Sequence, residues 1–383
     1  MVLDFEQDNV YVKFTPEEYV ETKTYRVNVY AKNKSDGGNE KLVYTSPSYT
    51  FKSCEENSWH IVVDYMFYNA VAKKVATSGK PLPNIIDFSF KILIGEDEEE
   101  VPGMYSVHFV RYIPQILNIL GWHKGENLQR IWFTKGSNTE TNIVDPLLNE
   151  IKWDWAMSES STAKADFKNF FVRTSSYLND NYFLTKNKIR SSLKNEINKM
   201  IDQGLVTLPI KGGKNQPFGS SSSKIVSHNN EQIPEFEKFY FNSTTFDADP
   251  TSFDLTKHFL IDGFDDFVAA LGSMNFHVFA IGELEYKEGF FSNSIKIKIK
   301  KIGFYIKDSF DFKREKEALG YWKIIDQKTM EVERSPIKVE EYYEIQNKSY
   351  RDYRDTHNKG YNFFLYSDVH FEKIDLAVTL KDL

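Results

Sequence analysis

Along the first hundred residues apolar and polar side chains keep changing places. Runs such as "NVYVKF", "TYRVNVYAK", "KLVYTSPSYTF", "WHIVVDYMFYNAV" and "IDFSFKILIG" are β-branched and aromatic, and turn clusters such as "KSDGGNE" and "SGKPLPN" separate them. A period of two sends successive side chains to opposite faces of a strand, so residues 1–105 are expected to form an N-terminal antiparallel β domain resembling a sandwich. The acidic run Glu96 to Glu100 stands before "VPG". It is expected in a solvated turn, because adjacent carboxylates without fixed geometry repel.

From 106 to 208 the period becomes helical. In "YIPQILNILGW", Pro114 suits a first turn, Ile116, Leu117 and Leu120 share a face, and Gly121 can close the helix in a left-handed cap. Leu128, Ile131 and Trp132 mark a second helix. Farther on, Ile189, Leu193, Ile197, Met200 and Ile201 form one stripe, with Thr185 able to cap its start and Gly204 its end. Residues 209–231, rich in glycine, serine and asparagine, read as a flexible loop. Strand patterns return over 232–383, giving a mainly antiparallel C-terminal domain, and the whole reads as an α+β fold.

One of those late strands breaks its own rhythm. In "SIKIKIKKIGFYIKDSFDF", residues 294–312, Ile295, Ile297 and Ile299 alternate with Lys296, Lys298 and Lys300; after Lys301 the apolar set becomes Ile302, Phe304 and Ile306. The parity has flipped, and a β-bulge near Lys300 and Lys301 restores one buried face. Continued past Ile306, the new parity puts Asp308, Phe310 and Phe312 inward and Asp311 outward. A buried lone carboxylate is costly. Either the strand stops at Lys307 and both aspartates reach a common cleft, or Asp308 has a partner or a metal, or the pair simply ends the strand in a turn. The lysine row is the wet face of a sheet or a face for anionic lipid.

Composition narrows the classes. The chain has 383 residues, 41% hydrophobic and 27% charged, ordinary globular values, and 15% aromatic residues, which favours strands. A formal net charge of −7 argues against a dedicated nucleic-acid binder. Cys54 is the one cysteine, so no internal disulfide and no thiolate zinc cluster is expected. No run of about eighteen apolar residues suggests a transmembrane segment, and the N-terminus lacks the pattern of a signal peptide.

No Walker loop, G-x-S-x-G, H-E-x-x-H or paired C-x-x-C occurs. What remains is Asp308 and Asp311, which could hold Mg²⁺ or Ca²⁺ through oxygen or divide acid and base roles. A second cluster, Arg351, Asp352, Arg354, Asp355 and His357, precedes Gly360. There Arg354 could steady a phosphate and His357 could act as acid or base, unless the cluster is solvated surface. His277, between Phe276 and Val278, reads as a core histidine.

The stretches "YIPQILNILGWHKGENLQRIWF", "DFVAALGSMNFHVFAIGE", "IGFYIKDSFDF", "LGYW" and "YRDYRDTHNKGYNFFLYSDV" resemble, in order, the bacterial family catalogued as domain of unknown function 6402. Members of that family occur among contact-dependent and type VI secretion toxin genes. The order "ALG", strand, hairpin strand, "DSFDF" is also similar to the catalytic domain of colicin M, whose Asp-x-Tyr-Asp element cleaves the lipid-linked peptidoglycan precursor lipid II with a divalent metal. Asp308 and Asp311 would match its aspartates, with Phe310 in place of tyrosine. The His-Arg pair that follows in those toxins is absent here, so His357 and Arg354 would have to stand in. The resemblances imply an antibacterial effector made in the cytoplasm, exported without a signal peptide by a secretion apparatus and countered by an immunity protein. It would hydrolyse the precursor in the target periplasm. The alternative is a non-catalytic docking protein of such a locus.

Overall fold

The computed structural model describes residues 2–6, 9–14, 24–50, 57–134, 136–137, 146–179, 188–246, 265–289, 293–313, 318–326, 331–335 and 340–380. Strands β1 (Val2–Glu6), β2 (Asn9–Phe14), β3 (Thr24–Asn33), β4 (Lys41–Thr45), β5 (Tyr49–Thr50) and β6 (Asn57–Val62) lead to helix α1 (Tyr65–Val75), then β7 (Ile85–Ile94) and β8 (Asp97–His108). Helices α2 (Ile113–Ile119) and α3 (His123–Thr134), strand β9 (Pro146–Leu148), and helices α4 (Trp153–Glu159), α5 (Ser161–Asn179) and α6 (Lys188–Asp202) come next. They are followed by β10 (Gln216–Phe218), β11 (Ile225–His228), β12 (Glu231–Pro234), β13 (Tyr240–Phe246), α7 (Asp266–Leu271), β14 (Met274–Lys287) and β15 (Ser294–Phe310). The last elements are β16 (Ala318–Asp326), β17 (Glu331–Ser335), β18 (Tyr343–Gln346), α8 (Asn347–His357), β19 (Phe363–Tyr366) and β20 (His370–Leu380). The class is α+β, with antiparallel sheets before and after a helical middle, as expected.

Two compact units interleave along the chain: Met1–Gly121 with Phe312–Gly360, and Trp122–Asp311 with Tyr361–Leu383. The four consecutive segments expected from the pattern do not follow this grouping. Periodicity tells strand from helix but not which sheet a strand joins. The expected flexible loop 209–231 holds β10, β11 and the start of β12. Phe218 is buried where β10 adds to β14, and β11 pairs with β12 across Asn229 and Asn230, both at positive φ, the conformation that a tight hairpin demands and asparagine tolerates. Cys54, Thr185 and the side chain of Ile189 lie outside the described residues.

The first unit contains the sheets β1-β2-β6, β4-β3-β7-β8 with β5 beside β3, and β17-β16-β18. Two local readings change here. "WHIVVDYMFYNAV" is not one strand: β6 ends at Val62 and Asp64 caps α1, accepting from the Phe67 amide at 2.8 Å. The acidic run is exposed as expected, but only Glu96 stands in the turn. Asp97 to Glu100 pair with Ile94 to Lys91, and Glu98 accepts from Tyr30 Oη at 2.9 Å and Lys91 Nζ at 3.3 Å, so opposite charge across the hairpin offsets the repulsion. The aromatic richness sits in the core. Phe109 stacks on Tyr343 at 3.7 Å, and the buried hydroxyls of Tyr68, Tyr112 and Tyr343 each donate, to Pro83 O, Val63 O and Asn69 Oδ1.

The second unit is built on a seven-stranded sheet, β10-β14-β15-β19-β9, with β13 beside β14 and β20 beside β15. The β14–β15 hairpin is its spine. The skipped beat is a bulge: Ile281 faces Lys301 and Gly282 faces Ile299, and on the other side the ladder with β20 also shifts between Ile299 and Lys301. Lys300 is the extra residue. Before it, Ile295, Ile297 and Ile299 are buried in alternation; after it, Ile302 through Ile306 are all buried. The second half of the strand is therefore covered on both faces, with the rings of Phe167, Phe170 and Phe171 of α5 5.2–5.9 Å from Phe304 and Phe236 4.8 Å from Tyr305.

Gly282 makes the bulge possible. A Cβ there would collide with the Lys298 carbonyl and the Phe218 ring. Gly282→Ala is expected to lower stability by about 1–3 kcal/mol, read as a fall in the urea midpoint.

Candidate functional site

Strand β15 does not stop at Lys307. It runs to Phe310, so Asp308 sits inside the ladder opposite Leu365. Lys307 and Asp308 point to opposite faces by the strand's alternation. The Asp308 carboxylate accepts from the amide of the next residue, Ser309, at 2.8 Å. Asp311 follows the strand, is 9% exposed, and precedes Phe312 at φ +51°, where the chain turns. Both aspartates belong to the second unit; Arg354 and His357 belong to the first.

Arg354 and His357 share the last turns of α8. The helix starts at a capping box between Gln346 and Ser349 and ends at Asn358 in the left-handed conformation. Tyr350 stacks on Phe312 at 3.9 Å. The Arg354 side chain is 11% exposed, with Nε 3.5 Å from Asp355 Oδ1. His357 lies edge-on to His108, ring centroids 5.1 Å apart. Burial, then the charges of Arg111, Lys359 and Lys34, pushes the His357 imidazole down to about 4. At neutral pH it is therefore an uncharged ring, with one N–H and one acceptor nitrogen, and not the imidazolium that a general acid requires. His108 is pushed down to about 3, chiefly by burial, and neither of its ring nitrogens meets a protein partner. The pattern did not mark His108, which stands unremarkably in a strand.

A denser cluster lies on the other face of β15 from Asp308. Glu237, in a 3₁₀ turn over Glu235–Phe239, takes Lys307 Nζ on Oε1 at 2.7 Å and the Tyr305 hydroxyl on its other oxygen. That hydroxyl also lies 3.2 Å from Nδ1 of His277. His277 is a core histidine as expected, pushed down to about 3 by burial and then by Lys307. Burial raises Glu237 to about 6, although Lys307 pulls the other way. No sequence signal joins Glu237 to Lys307, because a 3₁₀ turn and a strand 70 residues apart share no period.

Other marked residues have structural work. Lys298 and Lys300 are answered by Glu285 and Glu283 at 3.0 and 2.8 Å, which favours the wet-face reading of the lysine row. In "YSDV", Ser367 Oγ accepts from the Ile306 amide at 2.9 Å and Asp368 accepts from the Trp153 amide that opens α4 at 2.6 Å. In "FDDFVAALG", Asp266 accepts from the amides of Lys124 and Gly125 at the start of α3.

Among the described residues no group of three or more His, Cys, Asp or Glu side chains is placed to hold a metal ion. Asp308 and Asp311 offer at most a two-carboxylate set. That is short of the six to eight oxygens that Ca²⁺ takes, but Mg²⁺ often uses one or two carboxylates with water and substrate phosphates filling the rest. No helix among the described residues is long and apolar enough to cross a membrane. Compared with known proteins, residues 109–381 match the model of a family described only as "Family of unknown function (DUF6402)". No curated protein and no solved structure matches the chain.

Proposed function

Since the chain belongs to the DUF6402 family of unknown function, whose description carries no activity, we propose a function from its own side chains: an antibacterial effector, delivered by a secretion apparatus, that hydrolyses a phosphate linkage in a lipid-linked envelope precursor. The observation that supports it is the Asp308–Asp311 element, two carboxylates within four residues at the end of a long bulged strand, the second of them buried. Bulges recur beside active sites because they re-aim the residues that follow. In this reading Asp308 and Asp311 hold Mg²⁺ or activate water; a bound cation would neutralise phosphate charge. Arg354 and His357 stand in the other unit, and the reading does not lean on them.

A second reading is favoured by one contact. The Asp308 carboxylate is engaged by the amide of the next residue, Ser309, a local bond that fixes the backbone, and this supports a non-catalytic docking protein of a toxin or secretion locus. Expression in the periplasm and, separately, in the cytoplasm of a susceptible bacterium decides between them. Lysis from the periplasm alone, abolished by Asp311→Ala in a protein that still folds, is the expected result for the enzyme. If the protein is harmless in both compartments, the docking reading replaces it.

A further inference from the structure

Helix α6 and strand β13 of the second unit border a polar groove made of two cavities. One, of about 460 Å³, runs along Ser192, Asn195, Asn198 and Asn242. The other, of about 220 Å³, reaches Gln203, His228, Asn229 and the edge of Glu237. Glu196, Lys199 and Tyr240 line both, so the two spaces meet there.

The chemistry of the walls restricts the occupant. Carboxylates outnumber ammonium groups on the walls: Lys199 is paired with Glu196 at 2.5 Å and Glu237 with Lys307 at 2.7 Å, which leaves Asp202 and Glu231 against Lys238. A phosphate or a nucleic acid would meet net repulsion. The remaining groups are amides and hydroxyls, which both donate and accept. Asn195, Asn198 and Asn242 set three such amides along the larger cavity. Tyr240, at the junction, is a braced platform. Its ring lies 4.6 Å from His277, which is itself fixed against Tyr305, and its hydroxyl is 3.4 Å from Ser243 Oγ.

We propose that this groove binds a neutral, hydroxyl-rich chain, an oligosaccharide, with a sugar ring laid on Tyr240 and its hydroxyls on the amides and carboxylates of α6 and β13. Such a ligand carries no charge to desolvate, alternates donors and acceptors as the walls do, and offers a C–H face to an aromatic ring. The inference does not depend on the roles of Asp308 and Asp311.

Titration calorimetry of the full chain with cellotriose and with tri-N-acetylchitotriose tests it, with trialanine and inorganic phosphate as competitors of other classes. Saturable binding of at least one trisaccharide is expected, weakened at least tenfold by Tyr240→Ala and by Asn198→Ala, and kept within a few-fold by Tyr240→Phe. If Tyr240→Ala does not fold, Asn198→Ala and Asn242→Ala carry the comparison. No saturable binding of either sugar, binding indifferent to these variants, or saturation by trialanine or phosphate alone would overturn the proposal.

Discussion

Lys307→Ala is expected to cost the second unit roughly 3–5 kcal/mol at pH 7.5, the penalty for leaving a buried carboxylate without its cation. Lys307 Nζ lies 2.7 Å from Glu237 Oε1, and the two side chains are only 20% and 8% exposed. What remains, the Tyr305 hydroxyl and the uncharged His277 ring with Nδ1 3.9 Å from Oε2, cannot balance a full charge. The pH dependence distinguishes this loss from mere truncation of packing. Burial already raises Glu237 to about 6 with Lys307 opposing it. Without the lysine its pKa rises further, so the penalty is present above that value and relieved as pH falls and the carboxylate takes a proton. Urea midpoints at pH 7.5 and 5.5 should therefore show a large defect at the first and a smaller one at the second. Adding Glu237→Gln should recover most of the loss at pH 7.5; a defect equal at both pH values, or no recovery in the double variant, would show that the ion pair does not carry the effect.

Acid should destabilise both units, beginning near pH 6.5. An imidazole in an unfolded chain takes its proton at about 6.5, whereas His108 and His277 are held to about 3 in the folded protein. Between those values the unfolded chain binds protons that the folded one refuses, so stability falls as pH falls, by about 1.4 kcal/mol per pH unit for each ring. Above 6.5 neither state is protonated and the contribution vanishes. Glu237 works the other way, gaining a proton from about pH 6 downward, and softens the acid limb in the second unit. His108→Phe removes two buried nitrogens without protein partners. It should stabilise the first unit at pH 7 by about 1–3 kcal/mol and flatten its decline between pH 6.5 and 4.5, followed by amide exchange in β7 and β8. An unchanged acid slope in that variant would refute the assignment.

The elements whose signal is local were legible. The bulge at Lys300, the Pro114 start and Gly121 end of α2, and the stripe Leu193, Ile197 and Met200 on α6 all followed from side-chain period and from what proline and glycine do to a backbone. The misread stretches were those in which a polar residue changed the rules. Asp64 turned a strand into a helix start, Lys91 and Tyr30 made an acidic strand tolerable, and paired asparagines made a hairpin of a segment that composition assigns to a loop. Of the candidate site, the sequence marked Asp308, Asp311, Arg354 and His357 by residue type. It could not assign the first two to one unit and the last two to the other.

By itself, then, the sequence determined the class of fold, the hairpin of β14 and β15 and the parity flip within it, because a covalent neighbour decides which face a side chain takes. Only the tertiary structure decided that Lys307 meets Glu237, that His108 faces His357, that Asp368 caps α4, and that α6 and β13 border a polar groove. These pairings join residues far apart in the chain. Burial and charge select them in space, and no period records that choice.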